Sequence, residues 1–181
     1  MDSVLDVTGV APRGEIWEIA DLSWIDGLGA DMPIPALTRE GYLPAGEHLC
    51  NFTEFAATFA HNDHRQALLE KLRAFLAYLT TLGLSLPYYL DGSYSTDKTF
   101  PNDIDLVLDC STASGNQIRE AFQLMTAKQA EIKERYKVDF WVFFPGAPSD
   151  LRAFFQYVRV EEMQAKNMSV GARKGILRVL Q

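Results

Sequence analysis

Apolar residues divide this chain into short runs with two different periods. Over residues 63–82, Ala67, Leu68, Leu72, Phe75, Leu76 and Leu79 recur at three- and four-residue steps. That spacing predicts an amphipathic helix, stopped at Gly83, with Arg65, Lys71 and Arg73 at more polar positions. Ahead of it, Asn51 or Thr53 can cap a short helix over 54–60. A further helix is expected over 116–136, with Ile118, Ala121, Phe122, Met125 and Ile132 inward, and another over 150–166. Residues 86–93, 103–110 and 137–144 instead have the apolar, β-branched and aromatic make-up of strands, the first ending in a Gly-Ser turn. The aromatic crowd Phe140, Trp141, Phe143 and Phe144 reads as core of the last strand.

The N-terminal part lacks such periodicity. Residues 1–13 mix Gly, Pro, Ser and Asp and read as a flexible lead-in, leaving 14–181 as a single domain. An edge strand could begin in 14–24, and 25–47 reads as a long loop rich in Gly and Pro. The end of that loop, from Gly41 to Gly46, is of the kind that lies over a domain and shapes its entrance. No repeat or low-complexity tract interrupts the rest, so the fold class is α/β (α+β), a small mixed central sheet flanked by helices.

Composition narrows the class. A chain of 181 residues with 48% hydrophobic and 23% charged residues is neither disordered nor fibrous. With 17 Lys and Arg against 24 Asp and Glu, the net charge of −7 argues against an extended nucleic-acid footprint, which needs many phosphate-neutralising cations. Cys50 and Cys110 are too few for a disulfide framework and lack metal-ligand spacing. No apolar run approaches the roughly 18 residues of a membrane span, and acids stand where a secretory signal carries positive charge. The expected location is cytoplasmic, away from membranes.

Candidate chemistry concentrates between the first two strands. Alternation along a strand puts Asp103 and Asp105 on one face, with Ile104 toward the core and Cα atoms about 6.6 Å apart. Two carboxylates so close call for a cation. Asp109 has the same parity but lies about 13 Å beyond Asp105, as a strand-end residue. Gly92-Ser93, just upstream, lets backbone N–H groups and a hydroxyl approach phosphate oxygens. Asp139 interrupts an otherwise apolar strand, which is costly unless it binds metal or pairs with Arg135 or Lys137. Lys98 and Lys174 are the candidate cations for phosphate, the latter in a basic cluster with Arg173 and Arg178. His61 and His64 lie three apart, but no third ligand is evident; they read as a solvated or capping pair, with Asp63 the helix cap. Three carboxylates beside a phosphate turn describe two-metal phosphoryl or nucleotidyl transfer.

Gly92-Ser93, a nine-residue spacer, Asp103-Ile104-Asp105 and the later Asp139 resemble the DNA polymerase β-like nucleotidyltransferase superfamily, especially its minimal bacterial members from toxin–antitoxin and phage-defence loci. The block covers residues 86–144. The resemblance implies a polymerase β-like palm and transfer of an NMP from an NTP, with ATP among the candidates, to a hydroxyl. Carried over by residue, Ser93 would contact the β/γ-phosphates, Asp103 and Asp105 would bridge two Mg²⁺ (or Mn²⁺) ions, and Asp139 would complete the site nearest the attacking group. The acceptor is a protein, tRNA or other RNA, or a small molecule, and a partner protein from the same locus is possible. With Leu43–His48 and Lys174-Gly175-Ile176 added, the pattern also resembles a family of uncharacterised bacterial proteins of this size. Phosphoryl or pyrophosphoryl transfer and nucleotide cyclisation use the same ions. Tyr94, directly after the turn, supports a different class: a weak or inactive member of the fold acting as an antitoxin, immunity or scaffold partner.

Overall fold

The computed structural model describes residues 34–147 and 149–180. The lead-in expected over 1–13 and the edge strand over 14–24 lie outside these residues, as does the first part of the expected loop. Asn51 caps α1 (Phe52–Phe59): its side chain accepts the Glu54 N–H while the Glu54 carboxylate accepts the Asn51 N–H, satisfying two otherwise unpaired donors. In α2 (Asp63–Thr81) the predicted apolar stripe is buried from Leu68 to Leu79, with Leu69 added to it and Ala67 exposed, and Gly83 follows with a left-handed φ of +71°. Its cap is Asn62 rather than Asp63, because the Asn62 side chain accepts the Arg65 N–H at 2.9 Å. A Ser114–Gln117 capping box starts α3 (Gly115–Tyr136).

The three expected strands form as β2 (Tyr88–Asp91), β3 (Ile104–Asp109) and β4 (Val138–Phe143). Two more, β1 (Gly46–Cys50) and β5 (Gly175–Val179), complete a five-stranded mixed sheet in the order β1-β5-β2-β3-β4. The pairs β1/β5 and β3/β4 are parallel, while β2 runs antiparallel to both of its neighbours. β1 begins in the last two residues of the expected loop and runs past its end. It is an edge strand with Glu47 and Leu49 exposed, so it carries no clean apolar alternation. β5 stands where a basic terminus was expected; Ile176, Leu177 and Val179 are fully buried between β1 and β2.

Cross-strand register sorts the two faces. Leu177, Leu90, Leu106 and Phe140 form one row and pack on the helices, with Phe55, Leu72, Phe75 and Leu79 in the main core. Burying each such side chain contributes about 1.5–3 kcal/mol. The other face carries a smaller cluster of Tyr89, Val107, Phe143 and Ile176, against which Trp141, Leu151 and Phe155 pack.

Three helix expectations are corrected. Residues 150–166 form two short helices, α4 (Leu151–Phe155) and α5 (Val160–Ala165). Between them Tyr157 bridges Arg173 in extended pairing, which a continuous helix would prevent. Phe122 is 46% exposed, because Ala121, Leu124 and Ile132 carry a narrower stripe on α3. Arg65 is fully buried, one turn before Leu68 and Leu69 on the apolar stripe. Cys50 and Cys110 are free, buried thiols. Among the described residues no helix is long and apolar enough to cross a membrane.

Candidate active site

Register assembles the site. Asp91 at the end of β2 pairs with Asp105 in β3, and Asp105 pairs with Asp139 in β4. Residues directly opposite on neighbouring strands share a face. Three carboxylates therefore stand in one row across three strands, on the face away from the main core. Asp103, just ahead of β3, has the parity of Asp105 and reaches the same cleft. The structure thus brings Asp103, Asp105 and Asp139 together and adds Asp91, which sequence reasoning missed. Its signal was akin to the one that marked Asp139, an acid in an otherwise apolar strand, here at the strand's end directly before the Gly-Ser turn.

The turn closes onto the acids. Gly92 has φ +79°, and a Cβ there would lie 1.7 Å from Asp105 Oδ2 and 2.8 Å from its Cγ. Only glycine fits, on both conformation and space. A single 3₁₀ turn, Ser93–Ser95, follows. Gly92, Ser93, Lys98 and Lys174 line one cleft of about 860 Å³ together with the four acids, so every predicted site residue is in it. Tyr42, from the segment expected to shape the entrance, lines it too.

Behind the turn, Arg65 holds the loop. Its guanidinium donates to the carbonyls of Phe59 (2.9 Å), Tyr94 (2.7 Å), Thr96 (2.8 Å) and Lys98 (2.8 and 3.3 Å). All five donors are used on backbone oxygens, which fixes the path of the chain from the phosphate turn toward Asp103. Tyr94 points into the core, where its hydroxyl donates to the Arg65 carbonyl at 2.8 Å and its ring meets Phe55.

Two lysines stand among the carboxylates. Lys133 Nζ lies 2.9 Å from Asp103 Oδ2 and 2.7 Å from Asp139 Oδ2. Asp139 therefore pairs with Lys133 of α3, not with Arg135 or Lys137. Lys174 Nζ lies 2.6 Å from Asp91 Oδ2, in a pair that is almost wholly buried. Asp105 has neither a hydrogen bond nor an ion pair with any described residue. Burial first, then the charges of Asp91, Asp103 and Asp139, push its carboxyl up to about 7. Burial also pushes Asp91 up to about 6, against the opposing pull of Lys174. Hydrogen bonds to Asp139 and Asp103 raise Lys133 above the ordinary lysine range, so it remains an ammonium.

Among the described residues no three His, Cys, Asp or Glu side chains already converge as a metal cage. The donor set still suits a hard divalent cation, because it offers carboxylate oxygens and Asp105 makes no ion pair with a described residue, feeling Lys174 only as a more distant charge. The family of unknown function DUF6932 matches residues 35–180. The chain belongs to the DUF6932 family. No curated protein and no solved structure matches it. The matched span of this DUF6932 protein contains all four acids, the Gly-Ser turn and both lysines.

The far wall of the DUF6932 cleft is apolar and was not anticipated. Phe154 (64% exposed), Tyr157 (51%) and Val160 (58%) all line it. Exposed apolar side chains grouped in a cleft, rather than scattered, mark a binding surface. The basic cluster is divided: Arg173 stacks on Tyr157 at 4.0 Å, Arg178 pairs with Asp109 at 3.3 Å, and only Lys174 reaches the acids. His64 approaches the Pro101 carbonyl at 2.6 Å and contacts Phe100 edge-on, and it does not line the cleft.

Proposed function

We propose that this protein is a metal-dependent nucleotidyltransferase that moves an NMP from an NTP to a hydroxyl of a protein, RNA or small-molecule acceptor. One observation carries the reading: Asp91, Asp105 and Asp139 stand in a single row, and the Gly92 turn closes directly on the unpaired Asp105. The run β2, β3, α3, β4, antiparallel and then parallel with an acid on every strand, supports assignment to the polymerase β-like palm. Asp103 and Asp105 offer the oxygens for a divalent ion, which when bound would neutralise phosphate charge and polarise the bond to be broken. The Ser93 hydroxyl and the N–H groups after Gly92 are donors suited to phosphate oxygens, and Lys98 and Lys174 add positive charge to the same cleft. The aromatic wall of Phe154 and Tyr157 suits a stacked nucleobase. Tyr94, buried behind the turn, leaves the phosphate side open.

The test is product analysis with four labelled NTPs, Mg²⁺ and cell extract. The reading predicts pyrophosphate release and a labelled acceptor in the wild type, with both lost in Asp103→Ala and Asp139→Ala. Failure of the wild type to consume any NTP would sink it. A second reading, a palm-fold module acting as an antitoxin, immunity or scaffold partner, draws on the lysines that neutralise three of the four acids. It is favoured if the Asp103/Asp105 double alanine variant keeps its full effect in cells.

A further inference from the structure

The lysines change how many cations the acids need. Lys133 and Gln129 are four residues apart on α3, hence on one helical face, and that face meets β4. Lys133 takes Asp103 Oδ2 and Asp139 Oδ2, while Gln129 Nε2 donates to Asp139 Oδ1 at 3.4 Å and is anchored by the Phe140 carbonyl at 3.1 Å. Both oxygens of Asp139 are thus engaged from α3. Lys174 has likewise claimed Asp91. When ionised, the four acids carry −4; the two lysines supply +2, which leaves −2, the charge that one divalent cation balances. Among the described residues Asp105 makes no hydrogen bond or ion pair and feels Lys174 only as a more distant charge, and Asp103 retains one oxygen that Lys133 does not take.

Resting on the nucleotidyltransferase reading, we propose that Lys133 supplies one of the site's two cations from within the protein, so that the chain holds a single divalent ion, on Asp103 and Asp105. An ammonium suits this role. It is a compact charge with three donors, able to bridge two carboxylates, and it offers no open coordination position. The Lys133 side chain is 46% exposed, so its position is set by the two carboxylates more than by surrounding packing. The charge beside Asp139 would then be monovalent and permanent, and the occupancy of the remaining ion would not depend on filling a second metal position first.

The experiment titrates Mn²⁺ into the full chain at neutral pH and counts bound ions by electron paramagnetic resonance, with and without a non-hydrolysable NTP. The proposal predicts one tightly bound ion in the wild type and in Lys133→Arg, and two in Lys133→Met, which keeps the stem and loses the charge. Lys133→Gln serves as a second neutral variant, with circular dichroism confirming the fold. The thermal midpoint of either neutral variant falls in EDTA and rises with Mn²⁺ by more than that of the wild type, because Asp103 and Asp139 have lost their protein cation. Two ions on the wild type, or one on the wild type and on both neutral variants, overturns the proposal and leaves the nucleotidyltransferase reading standing. No ion on any variant, even with nucleotide, overturns both.

Discussion

Replacing Arg65 with Met tests whether the phosphate turn is held from behind by one side chain. The substitution keeps length and removes five donors, stranding the carbonyls of Phe59, Tyr94, Thr96 and Lys98. A buried polar group left without its partner costs about 1–3 kcal/mol. The Phe59, Tyr94 and Thr96 bonds are buried, whereas those to the Lys98 carbonyl are only part-buried, so the sum settles at about 3–5 kcal/mol, the range for breaking a buried charged network. For a chain of this size each kcal/mol lowers Tm by about 2–4 °C, and the expected drop is about 10 °C. Arg65→Lys recovers less than half of it, since three ammonium donors on one centre cannot span four diverging carbonyls. Urea unfolding followed by tryptophan fluorescence reads the stability. Nucleotide binding measured well below the transition reads the turn, and it weakens in both variants. A loss below about 1 kcal/mol in Arg65→Met would refute the argument that this network holds the loop.

Other outcomes follow from the same geometry. Asp91 and Asp105 titrate near 6 and 7 in the folded chain against about 3.9 unfolded, so the folded state binds more protons across that window. Their contribution to stability therefore falls as pH rises from about 4 to 7 and stays low above it. In EDTA, Asp105→Asn is more stable than the wild type at pH 8 and gains little at pH 4, and Mg²⁺ narrows the pH 8 gap; a gap independent of pH contradicts the assignment. Gly92→Ala forces a Cβ to 1.7 Å from Asp105 Oδ2 at a φ of +79°, which displaces the carboxylate. Nucleotide binding should be lost while far-ultraviolet circular dichroism is kept. Phe154→Ala weakens NTP binding about tenfold, the loss of one stacking contact, without changing the affinity for inorganic tripolyphosphate. Equal loss for both ligands would remove Phe154 from the nucleobase wall.

The elements whose pattern is local were legible before the fold was known. The α2 stripe, the Asn51 cap and the three apolar strands all follow from neighbours a few residues apart. β5 was hidden because its apolar residues sit beside Arg173, Lys174 and Arg178, and only their burial between β1 and β2 separates a strand from a solvated basic end. Arg65 escaped for the opposite reason, a charged residue on an apolar stripe whose partners are carbonyls up to 33 residues away. In the site, Asp103, Asp105 and Asp139 stood out by strand parity and by the cost of an acid in an apolar run. Asp91 satisfied the same criterion but was absorbed into the reading of its strand. Lys133 could not be found by spacing, since its role depends on how α3 lies against β4.

Equilibrium binding of the four NTPs in Mg²⁺ and in EDTA, to the wild type and to Asp105→Asn, tests most directly whether the row of acids at the Gly92 turn is a nucleotide site. The account predicts that at least one NTP binds the wild type in Mg²⁺, that EDTA abolishes the binding, and that Asp105→Asn weakens it at least tenfold. Binding unaffected by EDTA and by Asp105→Asn, or no NTP binding to the wild type at all, would contradict it.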